Sequence, residues 1–213
     1  MAGLTVGIPR ELVQRGRRVI RPRDLADRYT NPRAEVARMA RNGVLHRIAT
    51  GYYAVPPLNR LGDPRWVPDI HAAALGLGQA DYGPDAVALM GIGAAQLHGA
   101  VPRRLATTVL AVPKQRPAVR IDDARLVFVK RDVPNIDVER AETELGPGWV
   151  TTVEQTALDL AGRPGLGGIE VADAEEAIRA LVLRAERPLL EELAAAQHRP
   201  GALAKIDALV NRA

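Results

Sequence analysis

Cysteine and serine are absent from the 213 residues, and lysine occurs three times. Each gap removes a class of chemistry. Without cysteine there are no disulfides and no thiolate metal sites, which is compatible with a reducing cytoplasm. Without serine there is no Gly-x-Ser-x-Gly nucleophile elbow. Lys114, Lys130 and Lys205 are preceded two positions earlier by Val112, Phe128 and Leu203, so the acid-x-Lys pattern of a metal-dependent nuclease is missing. His46, His71, His98 and His198 are scattered, with no His-Glu-x-x-His pair, and there is no Walker A loop. Asp122-Asp123 reads as a solvated turn before it reads as a metal site, and His98 as a helix-end histidine before a base. The expectation is a protein that is not an enzyme, with no catalytic residues, cofactor or metal. Aromatics make up 3%, so the core has to be built from Leu, Val, Ile and Ala. No apolar run reaches the length of a membrane span, and the first residues hold no long one. No membrane association, no signal peptide and a cytoplasmic location are therefore expected.

What is present is arginine, unevenly placed. Residues 1–60 carry 12 arginines against four acids, Glu11, Asp24, Asp27 and Glu35; the remainder carries 17 bases against 21 acids. A basic module joined to a mildly acidic body suits a polyanion at one end and a different partner at the other. Arginine is also the better residue for bidentate contacts to phosphate or guanine.

The basic module centres on residues 22–55. Asn31-Pro32 marks a helix start, since Asn caps free N–H groups and Pro fits the first helical position. A helix from Pro32 to Asn42 would stop at Gly43. Val36, Met39, Ala40 and Gly43 fall on its inner stripe, while Arg33, Ala37, Arg38 and Arg41 point outward. A shorter helix, Pro22 to Tyr29, precedes it. A hairpin, Val44 to Ile48 and Tyr52 to Val55, follows around Ala49-Thr50-Gly51. Helix, turn, helix and hairpin make a winged helix-turn-helix, whose second helix enters a major groove. Arg47 and Thr50 would reach phosphate from the wing. Arg17, Arg18, Arg21 and Arg23 would add backbone contacts, and the β-prone pair Val19-Ile20 would pair with the wing. The bland alternative is a helical hairpin with a solvated basic face. On the winged-helix reading, double-stranded operator DNA is the partner of Arg17, Arg18, Arg21, Arg23, Asn31, Arg33, Ala37, Arg38, Arg41, Arg47 and Thr50.

Upstream, Pro9 to Arg15 reads as a first helix. Downstream, Pro56-Pro57, Gly62-Asp63-Pro64 and Pro68 make a stiff linker, which divides the chain into domains 1–58 and 69–213 with 59–68 between. Trp66 is expected to dock on one of the two domains. The second domain reads as mixed α and β: helices Asp69 to Leu77 and Ala86 to Leu97, strands Thr107 to Val112 and Leu126 to Lys130, and a short strand at Trp149-Val150-Thr151. An acidic excursion covers Asp132 to Leu145 and leaves room for one edge strand. Gly91-Ile92-Gly93 is set aside as a nucleotide fingerprint because no strand leads into a completed glycine pattern with a following helix. A capping box opens a helix at Thr151 with Glu154. Pro164 to Gly168 reads as a flexible loop, and three helices close the chain: Asp173 to Ala185, Leu189 to Gln197 and Ala202 to Val210. The fold class is α+β, a winged helix-turn-helix followed by a larger α/β domain with a helical C-terminus.

Three stretches carry a family resemblance. The run from Arg21 to Pro56, with Asn-Gly-Val-Leu-His-Arg-Ile at 42–48 and Gly-Tyr-Tyr-Ala at 51–54, resembles the N-terminal winged helix of the AbiEi-type antitoxins of abortive-infection toxin–antitoxin operons. Ala94-Ala95-Gln96-Leu97-His98-Gly99 and Val150 to Leu160 are similar to segments of the family's C-terminal antitoxin domain. The resemblance spans roughly residues 20–160. It implies an antitoxin that represses its own operon and counters a co-encoded nucleotidyltransferase-like toxin, whether or not by direct contact. The residues alone leave open a stand-alone regulator whose second domain dimerises or senses a ligand, and, more weakly, an enzyme appended to a DNA-binding module.

Overall fold

The computed structural model describes residues 17–211 apart from 64, 102 and 104. The expected helix Pro9 to Arg15 lies outside them. The described residues form a mixed α and β fold with seven α-helices and two sheets.

The first sheet is small. Strand β1 (Val19–Ile20) pairs with β3 (Tyr52–Ala54), which pairs in turn with β2 (His46–Ala49), all antiparallel. The pairing of Val19-Ile20 with the hairpin is as expected from sequence. Gly51, at φ +84°, makes the tight turn between β2 and β3. Helix α1 (Pro32–Arg41) lies before the hairpin. Asn31 caps it by accepting from the Ala34 N–H at 3.3 Å. Gly43 at φ +72° ends it. Val36 and Met39 bury its inner side with Ile20, Leu25, Val44 and Val55.

The helix expected at Pro22 to Tyr29 is a correction. It is a 3-10 helix over Pro22–Leu25, followed by a turn over residues 26–28. Asp24 folds back to accept the Arg21 N–H at 2.9 Å. Pro32 then disfavours helical backbone just upstream, so the segment has no room for a full α-helix.

The second sheet has six strands in the order β6-β7-β5-β4-β9-β8. They are β4 (Ala88–Met90), β5 (Thr107–Val112), β6 (Val119–Ile121), β7 (Ala124–Lys130), β8 (Val138–Thr143) and β9 (Gly146–Thr151). β5 runs parallel to β7 and β4 to β9; the other pairs are antiparallel. Helix α2 (Ile70–Tyr82) covers one face. Helices α3 (Gly91–Leu97), α4 (Val153–Gly162), α5 (Val171–Val182), α6 (Arg187–Ala196) and α7 (Pro200–Val210) build a second core on the other.

The segment expected to be one helix from Ala86 to Leu97 is a strand that runs directly into a short helix. Ala88-Leu89-Met90 is a central strand buried on both faces, where an apolar run carries no alternation to betray it. Gly91, at φ +53°, turns the chain into α3. A strand does therefore lead into Gly91-Ile92-Gly93, contrary to expectation. The glycine pattern is still incomplete, and Gly93 serves packing: a side chain there would strike the Thr108 hydroxyl. The cap of α4 is Thr152, accepting from the Gln155 N–H, one residue beyond the expected Thr151. Glu154 instead accepts from the Glu186 N–H at 2.8 Å. Pro188 and Pro200 sit in the first turns of α6 and α7, where proline costs no hydrogen bond.

Helix α2 is buried all the way from Ile70 to Ala80, not along one stripe. A helix apolar all round needs cover on all sides. The six-stranded sheet supplies one side and the three-stranded sheet the other. Val19, Ile48 and Ala54 share a core with Ala73, Leu77, Leu110 and Val150. Gly76 is required at this crossing, because a methyl there would overlap Val19 Cγ2. The two parts expected to be separate domains thus share one core.

Trp66 joins them as well. It is buried, stands edge-on to His46 with centroids 5.6 Å apart, and donates from Nε1 to Glu144 Oε2 at 3.2 Å. It touches both parts rather than one.

Candidate nucleic-acid interface

The outer side of α1 follows from the burial of its inner side. With Val36 and Met39 turned in, Arg33, Arg38 and Arg41 are exposed and Ala37 is half-buried between them. Two of the three, Arg33 and Arg41, are held by no ion pair among the described residues. Arg38 donates to Glu35 Oε2 from Nε at 3.1 Å and from Nη2 at 2.8 Å. That hydrogen bond, with the carboxylate charge, raises its pKa and keeps it cationic. At the hairpin tip Arg47 Nη2 donates to Thr50 Oγ1 at 3.2 Å, and both residues are exposed. Asn31 is exposed, but its Oδ1 already accepts from Ala34. It therefore offers its amide donors and not the donor–acceptor pair that reads adenine.

The other arginines divide. Arg23 stays outward, its side chain 68% exposed and 3.9 Å from Asp81. Arg18 is half-buried, with Nη1 3.4 Å from the Pro56 carbonyl. Arg17 donates to the Gln79 carbonyl of α2 at 3.0 Å. Arg21 is withdrawn most: its side chain is 14% exposed, and it pairs with Asp81 at 2.6 Å and Asp24 at 3.3 Å. Arg17 and Arg21 thus hold the two parts together, and their guanidinium groups face α2.

Asp81 was not visible as a key residue in the sequence. It receives Arg21, Arg116 and the Tyr52 hydroxyl, the last at 2.7 Å. Burial alone would push its carboxyl up, but the three hydrogen bonds outweigh it and hold the carboxyl below the usual range. Tyr52 is shifted up, by burial first and by the Asp81 hydrogen bond second. Arg116 reaches this cluster from the loop before β6 and also stacks on Phe128, 4.6 Å from the ring centre. The 60-residue gap between Arg21 and Asp81 leaves no local pattern to find.

The remaining sequence candidates lie away from α1. Asp122-Asp123 is the loop of the β6–β7 hairpin, with Asp122 at φ +48° and Asp123 fully exposed. No group of three or more metal-ligating side chains comes together among the described residues. His98 ends α3, with Nε2 donating to the Thr151 carbonyl at 2.7 Å. No helix among the described residues is long and apolar enough to cross a membrane.

No family model and no curated protein matches the chain. Among solved structures it is similar in fold to the RV2827C protein from Mycobacterium tuberculosis, with a TM-score of 0.57, at 18% sequence identity, over 95% of this chain and 78% of that one.

Proposed function

We propose that the chain is the antitoxin and transcriptional autorepressor of a toxin–antitoxin operon, with its N-terminal part binding operator DNA as a winged helix-turn-helix. One observation carries the DNA-binding half: α1 buries Val36 and Met39 and turns Arg33, Arg38 and Arg41 outward beside the Arg47–Thr50 tip. A helix of that kind laid in a major groove would offer Arg33 and Arg41 to guanine and Ala37 to a thymine methyl. Glu35 would release Arg38 to phosphate, or keep it oriented. Arg23, Arg47 and Thr50 would touch the backbone. Arg17, Arg18 and Arg21 drop out of the interface on this geometry.

The antitoxin half rests on the AbiEi resemblance. The segments 94–99 and 150–160 are packing elements, the end of α3 and the β9–α4 junction, so they speak for a fold and not for a catalytic site. The partner would be a co-encoded nucleotidyltransferase-like toxin. Two assays test the halves separately. The purified chain should retard DNA from upstream of its own gene, and Arg33→Ala with Arg41→Ala should remove the shift while the circular dichroism stays unchanged. Retention of the shift by a folded double variant would defeat the proposed face. Co-expression with the adjacent gene product should restore growth; failure to do so would end the antitoxin reading.

A further inference from the structure

A second cluster of cations lies in the helical layer, away from α1. A pocket of about 400 Å³ opens between the end of α4, the loop after it and the first turn of α7. Among the described residues its walls carry Arg131, Arg163, Arg199 and Lys205 against one acid, Asp159. Asp159 is buried, its side chain 2% exposed, and all its contacts fall on Oδ1: Arg199 at 2.7 Å, Arg131 at 3.4 Å and Gln155 at 3.2 Å. One carboxylate oxygen therefore sets the direction of two guanidinium groups. The balance of four bases to one acid leaves the cavity strongly cationic.

The cost of that arrangement is visible at Arg131, whose side chain is 18% exposed. Burial lowers its pKa; Asp159 partly offsets this, and Arg199 and Arg163 lower it further. A bound anion would relieve the mutual repulsion. The positive end of α7 lies in the same wall: Gly201 and Ala202 line the pocket, and among the described residues no side chain caps that helix.

We propose that this pocket binds the phosphoryl group of a small phosphorylated metabolite, of which a sugar phosphate is the simplest case. Arg163, Arg199 and Lys205 are its charged contacts. The volume suits a small molecule. The cations converge on a cavity and do not line a track, and among the described residues no aromatic lines it to stack a base. Both features disfavour a nucleic-acid backbone. The inference does not depend on the DNA-binding reading.

The test is calorimetric titration of the full chain with ribose 5-phosphate, inorganic phosphate and ribose, repeated in the presence of a short DNA duplex. Ribose 5-phosphate and inorganic phosphate should bind and ribose should not. Arg163 is exposed and holds no ion pair among the described residues, so Arg163→Gln should fold normally and weaken phosphate binding about tenfold or more, as for one lost charge-assisted contact. Arg33→Gln, on α1, should leave it unchanged. Three results would overturn the proposal. One is no heat from ribose 5-phosphate with the folded chain. Another is binding of equal strength in Arg163→Gln. The third is loss of duplex binding in Arg163→Gln without loss of ribose 5-phosphate binding, which would assign the cluster to nucleic acid.

Discussion

Asp81 has a role out of proportion to its single charge. It lies near the C-terminal end of α2 and ties β1, β3 and the loop before β6 to that helix through Arg21, Tyr52 and Arg116. Its folded carboxyl lies below its ordinary value. A depressed carboxylate stabilises the fold above the unfolded pKa of about 4 and loses that contribution as pH falls through the lower folded value. Urea midpoints should therefore drop below about pH 4, and the drop should be smaller in Asp81→Asn. The same variant should lose about 3 kcal/mol at neutral pH, because Arg116 is left partly buried without a counter-charge and Arg21 keeps only Asp24. A neutral-pH loss within about 0.5 kcal/mol of zero would show the cluster to be no more than a surface ion pair.

Elements differ in how much of themselves they show in the sequence. Helix α1 was legible because every signal is local: the Asn31 cap, Pro32 at the start, Gly43 at the end and one apolar stripe. The hairpin was legible for the same reason. Strand β4 was not, because burial on both faces erases the period-two alternation, and the adjoining Gly91-Ile92-Gly93-Ala94-Ala95 completes a run that reads as helix. Strand β6 was missed because three residues before a two-residue loop make too short a signal. Of the candidate site, the residues on α1 and at the hairpin tip could be named from periodicity. The inward turn of Arg21 could not, since its acceptor Asp81 is 60 residues away. Gly76 belongs to the same class, as its reason lies across a tertiary contact with Val19. Gly76→Ala should cost about 1–3 kcal/mol through overpacking. Combined with Val19→Ala, which removes the Cγ2 that the new methyl would strike, the loss should be less than additive. Additive losses by urea denaturation would mean that the two residues do not meet.

For the whole molecule, the shared core changes what can be asked of its parts. An independent DNA-reading domain on a flexible linker would allow the remainder, 69–213, to be studied alone. Here α2 is roofed by Val19, Ile48 and Ala54, and removing residues 1–68 would bare its apolar surface. That fragment should aggregate or bind a hydrophobic dye even when its secondary structure survives. Charge substitutions on α1 test the division of labour without that damage. Salt supplies the measurement. Contacts to phosphate release counterions, so log affinity should fall against log salt with a slope of about −0.9 per phosphate neutralised. Arg47→Ala, at the hairpin tip, should lower affinity on operator and unrelated DNA alike and reduce that slope by about 1. Arg33→Ala, on the groove-facing side, should lower operator affinity more than non-specific affinity. If the two variants behave alike, α1 does not read bases, and the basic face only holds the duplex by its charge.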